Sequence, residues 1–119
     1  MDVISIKQKL AKFSDYFNPR VIAELNGQHV KLGKFKGEFI WHSHNDEDEL
    51  FLVVKGKFFM EFPDKTVEIN EGEVIVVPKG VEHRPRADEE VHVMLFEPAN
   101  TVNTGNIENE MTIKEPEWI

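Results

Sequence analysis

The chain has 119 residues, 40% of them hydrophobic, with nine phenylalanines, no cysteine and a formal net charge of −8. Such a chain suits one domain with a single modest core, and the missing cysteines exclude disulfides, thiolate nucleophiles and Cys-ligated zinc. The acidic balance argues against a nucleic-acid partner, which needs a basic face, and against attraction to an anionic membrane.

The opening "MDVISIKQKL" lacks the charged-then-apolar layout of a secretory signal. The longest apolar runs, "LFLVV" and "VIVVP", are far too short to cross a bilayer, so a cytoplasmic location is expected. Ile6, Leu10, Phe13 and Phe17 recur at helical spacing and predict a helix within 1–18 that packs on the body of the domain. Ser5 followed by Gln8 resembles a capping box, and "NPR" should end the helix, because proline disfavours helical geometry in the residue before it.

From 19 to 98 the pattern changes to short strands: "VIAEL", "HVKLGKF", "EFIWHSH", "LFLVV", "KFFMEF", "TVEI", "EVIVV", "HRPRA" and "VHVMLF". They are separated by turn signals such as "NG", "NDEDE", "PDK", "NEG", "PKG" and "ADEE". Many short strands at this spacing predict an all-β sandwich or barrel rather than alternating β/α units. Residues 99–119 are polar and Asn-rich and form a C-terminal arm, which the terminal Trp118 should help to dock.

Side chains on a strand alternate faces, so Ile40, His42 and His44 should share one face, as should Glu49, Phe51 and Val53. With both faces inward, His42, His44 and Glu49 meet at the ends of neighbouring strands. His83 begins a later strand just past "VPKG". Three imidazoles and a carboxylate meeting in a barrel make a divalent metal site, and this donor set suits Zn, Fe, Ni or Mn.

The same residues carry a family resemblance. Gly37, His42, His44, Glu49 and Gly56 resemble the first cupin motif, and Gly72, Pro78, Gly80 and His83 resemble the second. The resemblance implies a double-stranded β-helix, the jelly-roll type of barrel, with His42, His44, Glu49 and His83 as the metal ligands. More narrowly, the chain looks like the small single-domain cupins described as isomerase-like. It departs from the family pattern in two places. Four residues separate Gly37 from His42 where the family usually has five, so the turn there should be tightened or bulged. Ala87 stands where the second motif usually has Asn, and should line the cavity.

The remaining candidates are weaker. His29 and His92 are lone histidines on predicted strands; His92 is the outsider for an acid or base in the cavity. Alternation from His83 turns Arg84 and Arg86 away from the pocket. Asp46, Glu47 and Asp48 should form a solvated rim, while Phe58, Met60 and Phe62 fill the core or the pocket wall. Gly56 and Gly80 should sit at reversals that need positive φ. On the opposite face Phe39, Trp41, Leu50, Leu52 and Val54 are apolar where a half-buried strand should be polar, which predicts a homodimer. The expected function is a metal-dependent enzyme on a small organic or sugar-type molecule, isomerase-like, epimerase-like or oxygenase-like. The alternatives are a pocket that binds or senses a small ligand without turnover, and a barrel whose metal is only structural.

Overall fold

The computed structural model describes residues 1–119. One short helix, α1 (Ile6–Leu10), precedes seven strands: β1 (Arg20–Leu25), β2 (Gln28–Glu38), β3 (Glu49–Lys55), β4 (Lys57–Phe62), β5 (Lys65–Asn70), β6 (Val74–Val77) and β7 (Arg84–Pro98). All strand pairings are antiparallel and run in the order β1-β2-β7-β3-β6. The β4–β5 hairpin joins through β4 to the start of β7, at Arg84–Arg86. This is the rolled all-β architecture that the turn spacing predicts.

β7 organises the roll. Its later half lies between β2 and β3 and its first residues pair with β4, so one strand serves both layers. The sequence reading splits this strand at "ADEE". The structure keeps it continuous, because Ala87 still pairs with Gly37 across the ladder. The β2–β7 register slips between Phe35 and Gly37, a bulge in the strand that leads to the histidines. There Gly37 takes φ +82, which a residue with a Cβ adopts only under strain.

Alternation divides the core in two. Inside the roll, Phe35, Phe51, Val53, Phe58, Met60, Val91, Val93 and Leu95 form the main cluster. Outside, Leu10, Phe13 and Leu32 form a second cluster with Ile6, Ile22, Val54, Met94 and Ile119 against it. The N-terminal segment feeds both. Helix α1 stops at Leu10, well before "NPR", so the apolar stripe is not one helical face. Phe17 instead turns inward at φ +56 and stacks on Phe35 and Phe39, each with ring centroids 5.0 Å away. Burying a phenylalanine contributes about 2–3 kcal/mol, and this stack closes one end of the roll.

Five residues are too few for a helix to stand alone, so its ends are held from outside. The Ser5 hydroxyl accepts the Gln8 N–H at 3.1 Å. At the other end the buried Lys34 ammonium donates to the Leu10 and Phe13 carbonyls at 2.8 and 2.6 Å. The helix cluster thus covers the outer face of β2 and reaches Val54 on β3, but not the outer face of β6, where Val74 and Val76 remain 52% and 53% exposed. No helix is long and apolar enough to cross a membrane.

Candidate metal centre

The segment 39–48 is not a regular strand, although the alternation argument treats "EFIWHSH" as one. Only His42 pairs, in an isolated bridge with His83. Its N–H donates to the His83 carbonyl at 3.1 Å, and the His83 N–H donates back at 2.9 Å. This two-way pair sets the His42 and His83 rings 4.3 Å apart, centroid to centroid. The Gly80 N–H holds the His44 carbonyl at 2.7 Å, which brings the "PKG" turn against the HxH segment. Glu49 arrives from the first residue of β3, pointing inward with Phe51 and Val53.

The tautomers follow from second contacts. His42 Nδ1 lies 2.9 Å from the Ile40 carbonyl, and His83 Nδ1 lies 2.8 Å from the Val81 carbonyl. A carbonyl only accepts, so Nδ1 carries the proton and Nε2 is left as a bare lone pair. His44 Nε2 stands 2.9 Å from Glu49 Oε1, and His83 Nε2 stands 3.3 Å from the same oxygen. Neither approach has hydrogen-bond alignment, and all three atoms are buried without a partner. Orphaned lone pairs facing one small volume are costly unless something positive sits among them.

The donor atoms of His42, His44, Glu49 and His83 all lie within 4.8 Å of one another, and all four residues are buried. Ligands bonded to an ion at about 2.0–2.2 Å stand about 3–4.4 Å apart, so this group could close round a divalent ion with small shifts. The structure therefore brings together the four residues that the spacing singled out, and they fit a metal.

Electrostatics point the same way. Burial, reinforced by the neighbouring His83 ring, lowers the His42 pKa to about 4, which keeps the ring neutral at pH 7. Burial opposes ionisation of Glu49, yet the His44 and His83 rings and a contact from Glu97 hold its carboxyl well below the usual range. Burial and the adjacent Glu49 push Glu97 in the opposite direction.

A cavity with roughly 530 Å³ of unfilled space, mouth included, opens beside the cluster. His42 and Glu49 face it, with Phe17, Phe35, Phe39, Phe51 and Leu95 on its apolar side. Lys31 and Glu97, which pair at 2.8 Å, also line it and were not singled out in the sequence. Alternation would have found both, since Lys31 shares its face of β2 with Phe35, and Glu97 shares its face of β7 with Leu95.

The C-terminal arm supplies another wall through Thr101, Asn103, Ile113 and Pro116. It also grips the HxH segment. The Ser43 N–H donates to Asn106 Oδ1 and the Asn106 N–H to the Ser43 carbonyl, both at 2.9 Å. Gly105 lies so close that a Cβ there would stand 2.1 Å from the Ser43 oxygen. Trp118 bridges in parallel to Val21, and its ring meets His29 edge-on at 5.3 Å.

Three side chains sit elsewhere than expected. His92 lies on the outer face of β7, bound to Glu90 at 2.8 Å, because Val91 and Val93 take the inward positions; it does not line the cavity. Phe39 points in rather than out, edge-on to the His42 ring at 5.4 Å, since its segment does not alternate as a strand. Ala87 is buried in the main core and does not reach the cavity wall, which Pro85 forms instead. Arg84 and Arg86 do face away, Arg84 pairing with Glu61 at 2.8 Å and Arg86 with Asp88 at 2.9 Å.

Residues 25–97 match the family model of the cupin domain, which is more than half of the chain. The chain belongs to the cupin family. This cupin is 46% identical to a cupin-2 domain containing protein from Shewanella frigidimarina, whose crystal structure superposes with a TM-score of 0.79 over 81% of this chain and 94% of that one. Protein NMB1881 from Neisseria meningitidis is 35% identical, with a TM-score of 0.75 over 82% of this chain and all of that one. The uncharacterized protein YdbB of Bacillus subtilis is 40% identical over 83 residues, 69% of this chain and 67% of its own.

Proposed function

We propose that this cupin is a metal-dependent enzyme in which His42, His44, Glu49 and His83 hold one divalent ion, Zn, Fe, Ni or Mn, beside a small-molecule cavity. One observation carries the reading: four buried donor atoms within 4.8 Å of one another, three of them without hydrogen-bond partners. A bound ion there supplies Lewis acidity to a carbonyl or hydroxyl oxygen of the ligand, as isomerase-like, epimerase-like or oxygenase-like chemistry requires. The chain's own residues do the rest. The Ile40 and Val81 carbonyls fix two imidazole tautomers, the phenylalanine wall excludes water, and the arm at 99–119 closes the barrel of 19–98 over the ligand.

The cavity offers only Lys31 and Glu97 as ionisable groups outside the cluster, and this supports a second reading, a pocket that binds without turnover. A homodimer built on the exposed outer face of β6, with the half-buried Leu50 and Leu52 of β3 beside it, belongs to both readings.

The test is elemental analysis of protein purified without added metal, beside a His42→Ala/His44→Ala variant. About one ion per chain in the first and none in the second is expected. Occupancy that survives the double substitution removes the site. Turnover of sugars and small carbonyl compounds by the loaded protein then decides between enzyme and binder.

A further inference from the structure

We propose that the cavity takes a small carboxylate, whose anionic group is anchored by the Lys31 ammonium while the rest of the molecule reaches the metal cluster. This rests on the reading of that cluster as a metal site.

Lys31 is the starting point. It lies on the inward face of β2, with its side chain only 5% exposed, and its Nζ makes one hydrogen bond within the chain, to Glu97 Oε1 at 2.8 Å. An ammonium has three donors, so two N–H groups remain in the cavity wall without a protein acceptor. A buried cation with unmet donors is costly unless something compensates it. By contrast, the other buried lysine, Lys34, has two carbonyl acceptors.

Glu97 pairs with Lys31 but is shared with Glu49. It sits between Lys31 and Glu49, touches both, and its Oε2 has no hydrogen-bond partner. A divalent ion and Lys31 together bring three positive charges, and the two carboxylates bring at most two negative ones. The loaded site is therefore net positive whether or not Glu97 carries a proton, and a monoanion brings it towards neutrality.

The wall chooses among anions. Beside Lys31 and Glu97 it is mainly Phe17, Phe35, Phe39, Phe51 and Leu95, which suits a short carbon skeleton with one charged end. A phosphate group needs more donors than one ammonium supplies. The two arginines that would provide them, Arg84 and Arg86, are spent on Glu61 and Asp88 outside the barrel. The site thus fits a carboxylate better than a phosphate ester.

The experiment is calorimetric titration of the zinc-loaded protein with pyruvate and lactate, against pyruvamide and lactamide, with zinc content measured on every sample. Both acids should bind roughly tenfold or more tightly than their amides. Lys31→Met should remove that preference without loss of zinc, and Lys31→Arg should keep most of it. If Lys31→Met does not fold, Lys31→Met/Glu97→Gln removes both ends of the ion pair and carries the same expectation. Equal binding of acid and amide by the zinc-loaded wild type overturns the proposal. So does a preference that persists without Lys31, because the anion then sits on the ion. Failure to take up zinc strikes the metal reading instead, and the two failures are told apart by the zinc measurement.

Discussion

Gly105→Ala tests whether the C-terminal arm holds the metal cluster in shape. A Cβ at this position would stand 2.1 Å from the Ser43 oxygen, 2.9 Å from the Ser43 carbonyl carbon and 3.2 Å from His42 Cδ2. Ordinary contact needs about 3.5 Å, so the arm and the HxH segment must part by more than an ångström. That separation breaks the paired 2.9 Å hydrogen bonds between Ser43 and Asn106, at about 1 kcal/mol each. A left-handed alanine at φ +56 adds about 1 kcal/mol more. The total, about 3 kcal/mol, corresponds to a Tm lower by about 10 °C for a domain of this size. His42 and His44 flank Ser43, so zinc affinity should also fall, by about 10-fold or more, as it does when the groups orienting metal ligands are removed. Gly27→Ala is the control: φ there is +77, but a Cβ meets nothing within 4 Å, so only the backbone strain of about 1 kcal/mol applies and zinc binding is untouched. Calorimetric melting and competition with a zinc chelator measure both quantities. If Gly105→Ala melts with Gly27→Ala and binds zinc as tightly as the parent, the arm does not clamp the site.

Two further outcomes can be measured. In the metal-free protein the His42 pKa is lowered from 6.5 to about 4, so between these values the unfolded chain binds the extra proton and stability is lost as pH drops, by about 3 kcal/mol in all. Glu97 is raised and has the opposite sign: the folded state holds its proton above the ordinary carboxylate range, so stability falls as pH rises through that region. Urea unfolding of the wild type should therefore show a smaller rise in stability with pH above about 4.5 than His42 alone would give. Glu97→Gln, which mimics the neutral acid, should instead gain stability up to about pH 6.5 and then level off; identical profiles would sink both assignments. At the surface, Val76→Glu on the exposed face of β6 should turn a micromolar dimer into a monomer by sedimentation, with monomer stability changed by under about 0.5 kcal/mol; a wild-type protein that is already monomeric ends the dimer proposal.

The four cluster residues were legible because their spacing survives even where the local structure does not. His42 and His44 converge although their segment is not a strand, since the bridge to His83 and the Gly80–His44 bond replace the ladder that alternation assumed. Within the regular strands alternation does govern. It marked Glu49 as an acid on an inward apolar face, and the same test on β7 picks out Glu97 and rejects His92. Phe39 is misplaced by alternation because its stretch is not a strand, so neighbouring side chains there need not take opposite faces. The predicted helix overruns α1 because Phe13 and Phe17 fit a helical period, yet they serve opposite sides of the sheet. The arm's grip on Ser43 left no sequence signal, since it depends on the Ser43 backbone meeting the Asn106 backbone and side chain from more than sixty residues away.

The double duty of β7 has a consequence for how the chain reaches this state. Its partners span the pairs from Gln28–Pro98 to Glu38–Arg86, so β2 cannot be paired on that side until nearly all of the barrel has left the ribosome. Until then the edge meant for β7 is bare and apolar, the condition under which β-rich chains fold slowly and stick to one another. Nascent chains truncated just short of residue 84 should therefore be where chaperones engage this protein most.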